Sequence, residues 1–430
     1  MPTQHVPKDV LLLFAQGRLE GETRRGVVRH LLTLCNECRH ALEALEAQLD
    51  GADSFEQPEP AHAESPGLLK AERSEAPRLW HQLEALPSTH RLLLARDDRR
   101  FHTRGFQELL VERARATASD DPLQAVELCQ LALEIVHRLP FDHYRRADIA
   151  DLRTTALVTL GNCKRLLGDL DGAAEAIDQA LDSLDWGTGD PLEEINVLSI
   201  YGSLLTDLGR IEEAVEILAA AARDAREIGD VQLEAKLLLQ QSSTLGWYDP
   251  AAGLALTRKA LALLPAGENP HLDLVARYQL MILNCELGNV REARQQFEVW
   301  RFFFREQRNQ GFWHTRSLQL EAALARREGR LEVCESFLRQ LLDHYAEREL
   351  RHDMALTTLD LAEVLTASRK YDEALELVQE ILPVLRQWGA SSDVLRACLM
   401  IQEAIERRSL EAAAFREASR TLRRSRFRRY

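Results

Sequence analysis

Small residues recur along this chain at an almost constant spacing, and that spacing restricts the fold more than any other feature. Six of them follow one another at intervals of 39 to 41 positions. Each lies near the start of an apolar segment with helical periodicity, just after a short turn that contains Gly or charged residues. Ala125 occupies the same place in an earlier segment, 48 positions before Ala173. The six positions are Ala173, Ala214, Gly253, Ala293, Cys334 and Ala374.

A fixed period of about 40 residues is typical of proteins built from stacked helix pairs. Two antiparallel helices joined by a tight turn need a small residue where they cross, and the next pair needs another to stack on it. Because no single pair can bury its own apolar face, the stacked pairs are expected to share one continuous core. The alternative is a non-repetitive helical bundle.

The repeats resemble the tetratricopeptide repeat (TPR) family over roughly residues 120–400. Usual TPR units have about 34 residues, so the longer units here imply longer helices or loops. The resemblance implies an all-α solenoid of helical hairpins with an extended concave surface that binds a protein partner. The residues that carry it are Leu160, Gly161, Gly168, Ala173, Ala180, Gly202, Gly209, Ala214, Ala221, Ala260 and Pro265.

Composition agrees with an all-α fold, since the 430 residues include only 21 Gly and 14 Pro and few aromatics. The formal net charge of −14 argues against a general nucleic-acid binder, which would carry a basic face. No apolar run approaches the roughly 18–20 residues that span a bilayer, and no signal-peptide pattern is visible. We therefore expect a cytoplasmic protein without a membrane partner.

The sequence divides into five expected segments. Residues 1–49 form a small helical unit, and residues 50–67, rich in Pro, Ala, Glu and Ser, form a flexible linker. A helical connecting region at 68–119 precedes the repeats at 120–400. Residues 401–430 form a basic C-terminal helix or tail, with nine Arg against four Glu.

A metal-binding pattern lies in the small N-terminal unit. His30 is followed by Cys35 and Cys38, and His5 lies 25 residues before His30. Zinc prefers four soft or borderline ligands in a tetrahedron, and a Cys-x2-Cys pair puts two thiolates on one ion. His30 lies about one helical turn before Cys35, and a helix hairpin would bring His5 back to complete the site. His40 is the alternative fourth ligand.

This pattern resembles the zinc-binding anti-sigma domain, with one extra residue between His30 and Cys35. The resemblance implies a zinc-finger-like helical domain with a structural zinc ion, because protein groups fill all four positions, and a sigma factor as its partner. The alternatives are a metal-free hairpin and a redox role for Cys35 and Cys38. The other five cysteines are expected to be small buried hydrophobic residues.

The repeat register also predicts which residues face the concave surface, through the first helix of each pair. The resulting surface is mixed and polar. It lacks the ordered Lys and Asn set with which TPR modules hold a terminal carboxylate, so that ligand is not expected. For each residue the alternative is an ordinary solvated helix face. The expected groove residues are Asn162, Arg165, Asn196, Ser199, Ser203, Tyr278, Arg316 and Gln319.

Two further segments have two interpretations each. The stretch 300–313 contains six aromatic residues, which either seal the core or anchor an interface. The stretch 416–430 contains seven Arg, which form either a solvated helix end or a surface for acidic groups. Nucleic acid is not the expected partner of this tail.

Motifs for catalysis are not found. The sequence contains no Gly-rich phosphate loop, no His-Glu-x2-His and no Gly-x-Ser-x-Gly. We therefore expect a non-enzymatic regulator or adaptor, similar to bacterial proteins that join an anti-sigma-type finger to TPR repeats. The alternative is a structural scaffold with no role in transcription. A third hypothesis, an enzyme with Cys35 or Cys38 as nucleophile, requires a lowered thiol pKa.

Overall fold

The computed structural model divides the chain into two compact units, Met1–Glu64 and Ser65–Tyr430. Its described residues form α-helices and one short 3-10 helix, and they contain no strand. This confirms the expected all-α fold class. The structure describes residues 5–15, 23, 27, 30, 37–38, 40–42, 45, 66–119, 121–141, 143–246, 248–264, 268–306, 311–347, 351–387, 398–399, 401–403 and 405–406.

The helices follow one another with short connections. In the first unit α1 spans Lys8–Ala15. In the second unit the helices are α2 (Pro66–Glu84), α3 (Ser88–Asp97), α4 (Arg104–Thr117), α5 (Pro122–Val136), α6 (Arg146–Leu166), α7 (Leu170–Leu184), α8 (Pro191–Asp207), α9 (Ile211–Glu227), α10 (Val231–Leu245), α11 (Pro250–Leu263), α12 (Pro270–Glu286), α13 (Val290–Glu306), α14 (Gly311–Arg327), α15 (Leu331–Glu347), α16 (Arg351–Ala367) and α17 (Tyr371–Gln387), with a 3-10 helix at Arg99–Phe101.

The first unit has a small apolar core of its own. Leu11, Val27 and Cys38 are buried in it. Half-buried apolar residues pack around them, among them Phe14 and Leu45. Such a small core contributes little stability by itself, which is why units of this size often use metal or disulfides.

In the second unit, α4 to α17 pack as consecutive pairs, from α4 with α5 to α16 with α17. The pair α4–α5 begins at Arg104, inside the segment expected to be a connecting region. The second helix of each pair carries one of the recurring small residues near its start, and the structure confirms their role. Ala125, Ala173, Ala214, Gly253, Ala293, Cys334 and Ala374 are all buried.

The turns inside five of the seven pairs share one hydrogen-bond pattern. In the turn after α6, the Asp169 amide donates to the Lys164 carbonyl at 2.9 Å and the Gly168 amide donates to the Arg165 carbonyl at 3.0 Å. This is the Schellman arrangement, which requires a left-handed residue and usually selects Gly. The same position has positive φ at Gly209, Gly288 and Gly329, and also at Arg369.

The helix starts are marked by short polar side chains. Asp169, Asp230, Asp249 and Asn269 each accept a hydrogen bond from an amide in the first turn of the following helix. Such caps satisfy backbone donors that have no partner inside the helix. Among the residues that the structure describes, no helix has both the length and the apolar character that crossing a membrane demands.

Candidate functional site

The first helices of successive pairs pack against one another from α4 to α14. We call the surface that they form, together with α16, the inner face. Polar side chains about 40 positions apart join neighbouring helices of this face. Ser199 donates to the Gln240 side-chain oxygen at 2.9 Å, and the hydroxyls of Thr206 and Thr244 are 2.9 Å apart. The inner face is therefore a polar surface whose residues are held by contacts between repeats.

A pocket of about 400 Å³ opens on this face between α8 and α16, and we call it the C-terminal pocket. Its volume lies in the range of small-molecule or side-chain binding sites. Aromatic, charged and amide side chains from three consecutive pairs converge on it. They include Tyr278, Arg316, Gln319, Arg326, Tyr345 and Asp360.

Four of these side chains form one network. The Tyr278 hydroxyl and the Arg316 guanidinium both donate to the Gln319 oxygen, each at 3.0 Å. The Gln319 amide nitrogen donates to the Tyr345 hydroxyl at 2.7 Å, and the Arg316 guanidinium lies 5.3 Å from the centre of the Tyr278 ring. Burial raises the pKa of Tyr345, so its phenol stays protonated at neutral pH. The network fixes four rotamers before any ligand binds, which lowers the entropic cost of recognition.

A second cation in the pocket is surrounded by carboxylates. Arg326 contacts Glu363 at 3.1 Å, Asp360 at 3.7 Å and Glu286 at 3.9 Å. Burial lowers the pKa of Arg326, but these carboxylates outweigh it and raise that pKa. The pocket thus holds two guanidinium groups, each close to acidic side chains: Arg316 interacts with Asp353, and Arg326 with the three carboxylates above.

The structure brings three of the eight expected groove residues together, namely Tyr278, Arg316 and Gln319. The others lie on α6 and α8. Arg165 donates to Asn162 and forms an ion pair of 2.7 Å with Asp207, and Asp207 reaches the rim of the C-terminal pocket.

The residues expected on α8 differ in their exposure. Asn196 and Ser203 are half-buried, and Ser203 accepts a hydrogen bond from Gln240 at 3.3 Å. Ser199 is only 1% exposed, because it lies where α8 packs against α10. Its hydroxyl is therefore committed to a contact between repeats and offers little to a partner.

A second pocket, of about 310 Å³, lies between α4, α6 and α8 at the other end of the inner face. Six carboxylates and two guanidinium groups line it. Burial raises the pKa of Glu193 even though Thr155 donates to it at 2.9 Å. This acidic pocket was not predicted from the sequence, although the acidic residues near the starts of α6 and α8 are visible in it. The charged lining residues are Arg104, Glu108, Glu112, Arg115, Asp148, Asp151, Asp190 and Glu193.

In the first unit, three of the four expected zinc ligands lie together. The Cys38 sulfur is 3.2 Å from His30 Nε2 and 3.8 Å from His5 Nδ1, and the three ligand atoms all lie within 4.8 Å of one another. Cys35 falls outside the described residues. His40, the alternative fourth zinc ligand, is exposed.

The remaining five cysteines are all buried, as expected: Cys129, Cys163, Cys285, Cys334 and Cys398. Two of them are neighbours in space, which their 34-residue separation does not suggest. A hydrogen bond with Cys163 and burial raise the pKa of the Cys129 thiol, while the same hydrogen bond lowers the pKa of Cys163.

In the aromatic stretch 300–313, some side chains belong to the core and others are exposed. Trp313 is 2% exposed and belongs to the core. Trp300 lies under the Arg277 guanidinium, 4.0 Å from its ring centre. Phe302 and Phe303 are exposed. The Arg-rich stretch 416–430 lies outside the described residues.

Comparison with solved structures identifies proteins with a similar fold, whereas comparison of the sequence finds no match. No protein-family model matches the sequence, and no curated protein matches it. A solved Rap protein, complexed with competence and sporulation factor, is similar with a TM-score of 0.52 and 13% identity over 94% of this chain and 100% of that chain. Aspartyl phosphate phosphatase F from Bacillus subtilis is similar with a TM-score of 0.50 and 12% identity over 91% of this chain and 98% of that chain.

A signal transduction ATPase with a tetratricopeptide repeat sensor, from Pyrococcus horikoshii, has a TM-score of 0.47 at 10% identity, over 96% of this chain and 62% of that chain. That TM-score is too low to carry an argument. Identities of 12% and 13% show the fold alone. The chain is therefore an all-α helical-repeat protein with the fold of the Rap protein and the phosphatase.

Proposed function

We propose that this chain is a non-enzymatic regulator or adaptor that binds a protein partner through its inner face, centred on the C-terminal pocket. The observation that carries the proposal is the network of Tyr278, Arg316, Gln319 and Tyr345, which is ordered before binding and lines a pocket of about 400 Å³. Tyr and Arg are the residue types that most often dominate binding energy at protein interfaces.

The fold supports the proposal by analogy. The similar Rap protein was solved in complex with competence and sporulation factor, so this architecture accommodates a bound factor. The similar phosphatase carries the name of an enzyme, but a fold does not carry an activity. We propose no catalytic role, because the sequence contains no Gly-rich phosphate loop, no His-Glu-x2-His and no Gly-x-Ser-x-Gly, and we propose the cytoplasm as the location of the protein.

The test begins with the partner captured by the full chain from native extract and then purified. Arg316→Ala removes the guanidinium from the network, and we expect it to weaken binding at least 30-fold, since interface hot spots contribute about 2 kcal/mol or more. Isothermal titration calorimetry measures the affinity, and circular dichroism checks that the variant keeps its helicity.

The matched control lies away from the inner face. Val299 is a 65%-exposed residue on α13, the second helix of its pair. Val299→Ala should leave the affinity within about threefold of the unaltered protein, as for surface changes outside an interface. Full binding by Arg316→Ala together with lost binding by Val299→Ala would overturn the proposal.

We also propose that the N-terminal cluster holds a structural zinc ion. Zinc bonds of about 2.3 Å to sulfur and 2.0–2.1 Å to nitrogen, in a tetrahedron, separate sulfur from nitrogen by about 3.6 Å. The observed separations of 3.2 and 3.8 Å fall on either side of that value, so both sulfur–nitrogen distances are compatible with a shared zinc ion. His5, His30 and Cys38 would supply three ligands, and Cys35, which lies outside the described residues, would supply the fourth.

Elemental analysis of protein purified without chelators tests the zinc proposal. We expect about one zinc ion per chain, and we expect Cys35→Ser with Cys38→Ser to remove it. Because ligands bind zinc only when deprotonated, acidification should release the ion. A full-chain preparation without zinc would contradict the proposal.

A sigma factor is the partner that we propose for this unit, on the basis of the anti-sigma resemblance. Capture of a sigma factor by residues 1–49 would support it. Failure of a purified sigma factor to bind the zinc-loaded chain would favour the alternative, a scaffold without a role in transcription.

A further inference from the structure

The His5 ring in the N-terminal cluster has a different partner on each nitrogen. Its Nδ1 atom lies 3.8 Å from the Cys38 sulfur, on the side where the ligand atoms meet. Its Nε2 atom lies 2.7 Å from a carboxylate oxygen of Glu37. Glu37 directly precedes Cys38 in the chain, so one short segment supplies both a ligand and the carboxylate behind a second ligand.

We propose that Glu37 is a positioning residue that fixes the tautomer and orientation of His5 for metal binding. A neutral imidazole has one N–H and one lone pair on its two nitrogens. A carboxylate accepts hydrogen bonds, so the N–H must lie on Nε2, and the lone pair then lies on Nδ1, towards the Cys38 sulfur. Metal-ligating histidines commonly donate their other N–H to a carboxylate in this way. The inference rests on the proposed zinc site.

The contact has a simpler reading, a surface ion pair that adds only to stability. The side chains of His5 and Glu37 are 52% and 77% exposed, and exposed ion pairs contribute little to the stability of a protein. The two readings differ in what they affect. An ion pair would alter folding and leave metal affinity nearly unchanged, whereas a positioning residue acts on the metal affinity itself.

The experiment measures zinc affinity of the full chain by competition with a chromophoric chelator at neutral pH. Loss of a carboxylate behind a ligating histidine typically costs about 10–100-fold in affinity, and we expect Glu37→Ala to fall in that range. Glu37→Gln keeps a side-chain oxygen that accepts the Nε2 hydrogen, so it should recover a large part of the affinity. Asp9→Ala, which removes an exposed carboxylate from α1, is the matched control and should bind zinc as the unaltered chain does.

Cobalt(II) in place of zinc provides a second readout. Its visible absorption reports tetrahedral ligation by sulfur and nitrogen, and Glu37→Ala should change the band positions or intensities while Asp9→Ala should not. Zinc affinity of Glu37→Ala within twofold of the unaltered chain, with an unchanged cobalt spectrum, would overturn the positioning role and leave the zinc site standing. Failure of the unaltered chain to bind zinc would overturn both proposals.

Discussion

A close approach between the two helices of one pair leads to a quantitative prediction. Gly202 of α8 faces Leu218 of α9, and a Cβ atom on residue 202 would lie 2.6 Å from the Leu218 Cγ atom. Leu218 is fully buried, and its Cγ is a branch point near the backbone, so the side chain has little room to withdraw. Gly202→Ala should therefore push the two helices apart.

Two effects of opposite sign set the magnitude. Ala is favoured over Gly in a helix by about 1 kcal/mol. Overpacking a dense core costs about 1–3 kcal/mol, and 2.6 Å lies far inside the optimal carbon–carbon separation of about 3.5–4.0 Å. The clash should reach the upper part of that range, which leaves a net destabilisation of about 1–2 kcal/mol.

The preceding repeat supplies a matched comparison. Gly161 occupies the equivalent position of α6, 41 residues earlier, and its added Cβ would lie 2.9 Å from the Ile177 Cδ1 atom. That atom is the far end of a side chain that can change rotamer. The clash at Gly161→Ala should therefore be largely offset by the gain in helix propensity, which leaves stability within about 0.5 kcal/mol of the unaltered protein.

Urea unfolding followed by far-ultraviolet circular dichroism measures both changes. We expect a lower midpoint for Gly202→Ala and a nearly unchanged one for Gly161→Ala. Adding Leu218→Ala to Gly202→Ala removes the atoms that clash, so the double variant should lose less stability than the sum of the two single changes. A midpoint for Gly202→Ala above that of the unaltered protein would refute the reasoning, because helix propensity would then be acting alone.

Further predictions concern other positions of the stacked helix pairs. Ala214→Leu should overpack a buried crossing and cost about 1–3 kcal/mol, whereas Ala255→Leu at an exposed position should leave the melting temperature unchanged. Arg369→Gly should raise the melting temperature, because residue 369 has a left-handed conformation that costs a non-glycine residue about 1–2 kcal/mol. Burial raises the pKa of Cys285 to about 12 and of Cys334 to about 11. The two thiols therefore stabilise the folded chain fully below the thiol pKa of the unfolded chain, about 8.5, and this stabilisation is lost as pH rises through their pKa values in the folded chain. Replacing both cysteines with Ala should therefore make the melting temperature fall less steeply at alkaline pH.

The repeat register could be predicted because it depends on local requirements that every pair repeats. A crossing of two helices accepts only a small side chain, so Ala173, Ala214 and Ala374 identify the start of the second helix wherever they occur. The left-handed turn selects Gly for an equally local reason. Arg369 departs from that rule: it lies five residues before Ala374, as Gly168 lies five residues before Ala173, and it has the same positive φ without being a glycine.

The inner face could be predicted only in part. Tyr278, Arg316 and Gln319 were found by projecting the register, because each lies on a first helix. The register does not fix how far neighbouring first helices are apart, and for that reason it could not show that Ser199 is buried against α10. Nor could it show that residues as distant as Asp207 and Asp360 line one pocket, since that depends on how successive pairs rotate.

The cysteines show the same division between local and non-local information. The short spacing between His30 and Cys38 made a shared site predictable, and these side chains do lie together. Cys129 and Cys163 belong to different pairs, and no spacing rule links them. Their contact follows from the packing of α5 against α6.

The most direct test of the central claim is photo-crosslinking from the inner face. A photoreactive amino acid at Ala323, which lines the C-terminal pocket, is compared with the same group at the exposed Val299 of α13, in the presence of the purified partner. We predict that the partner is crosslinked from position 323 and that Arg316→Ala abolishes this product. Efficient crosslinking from position 299 with none from position 323 would contradict the claim that the inner face binds the partner.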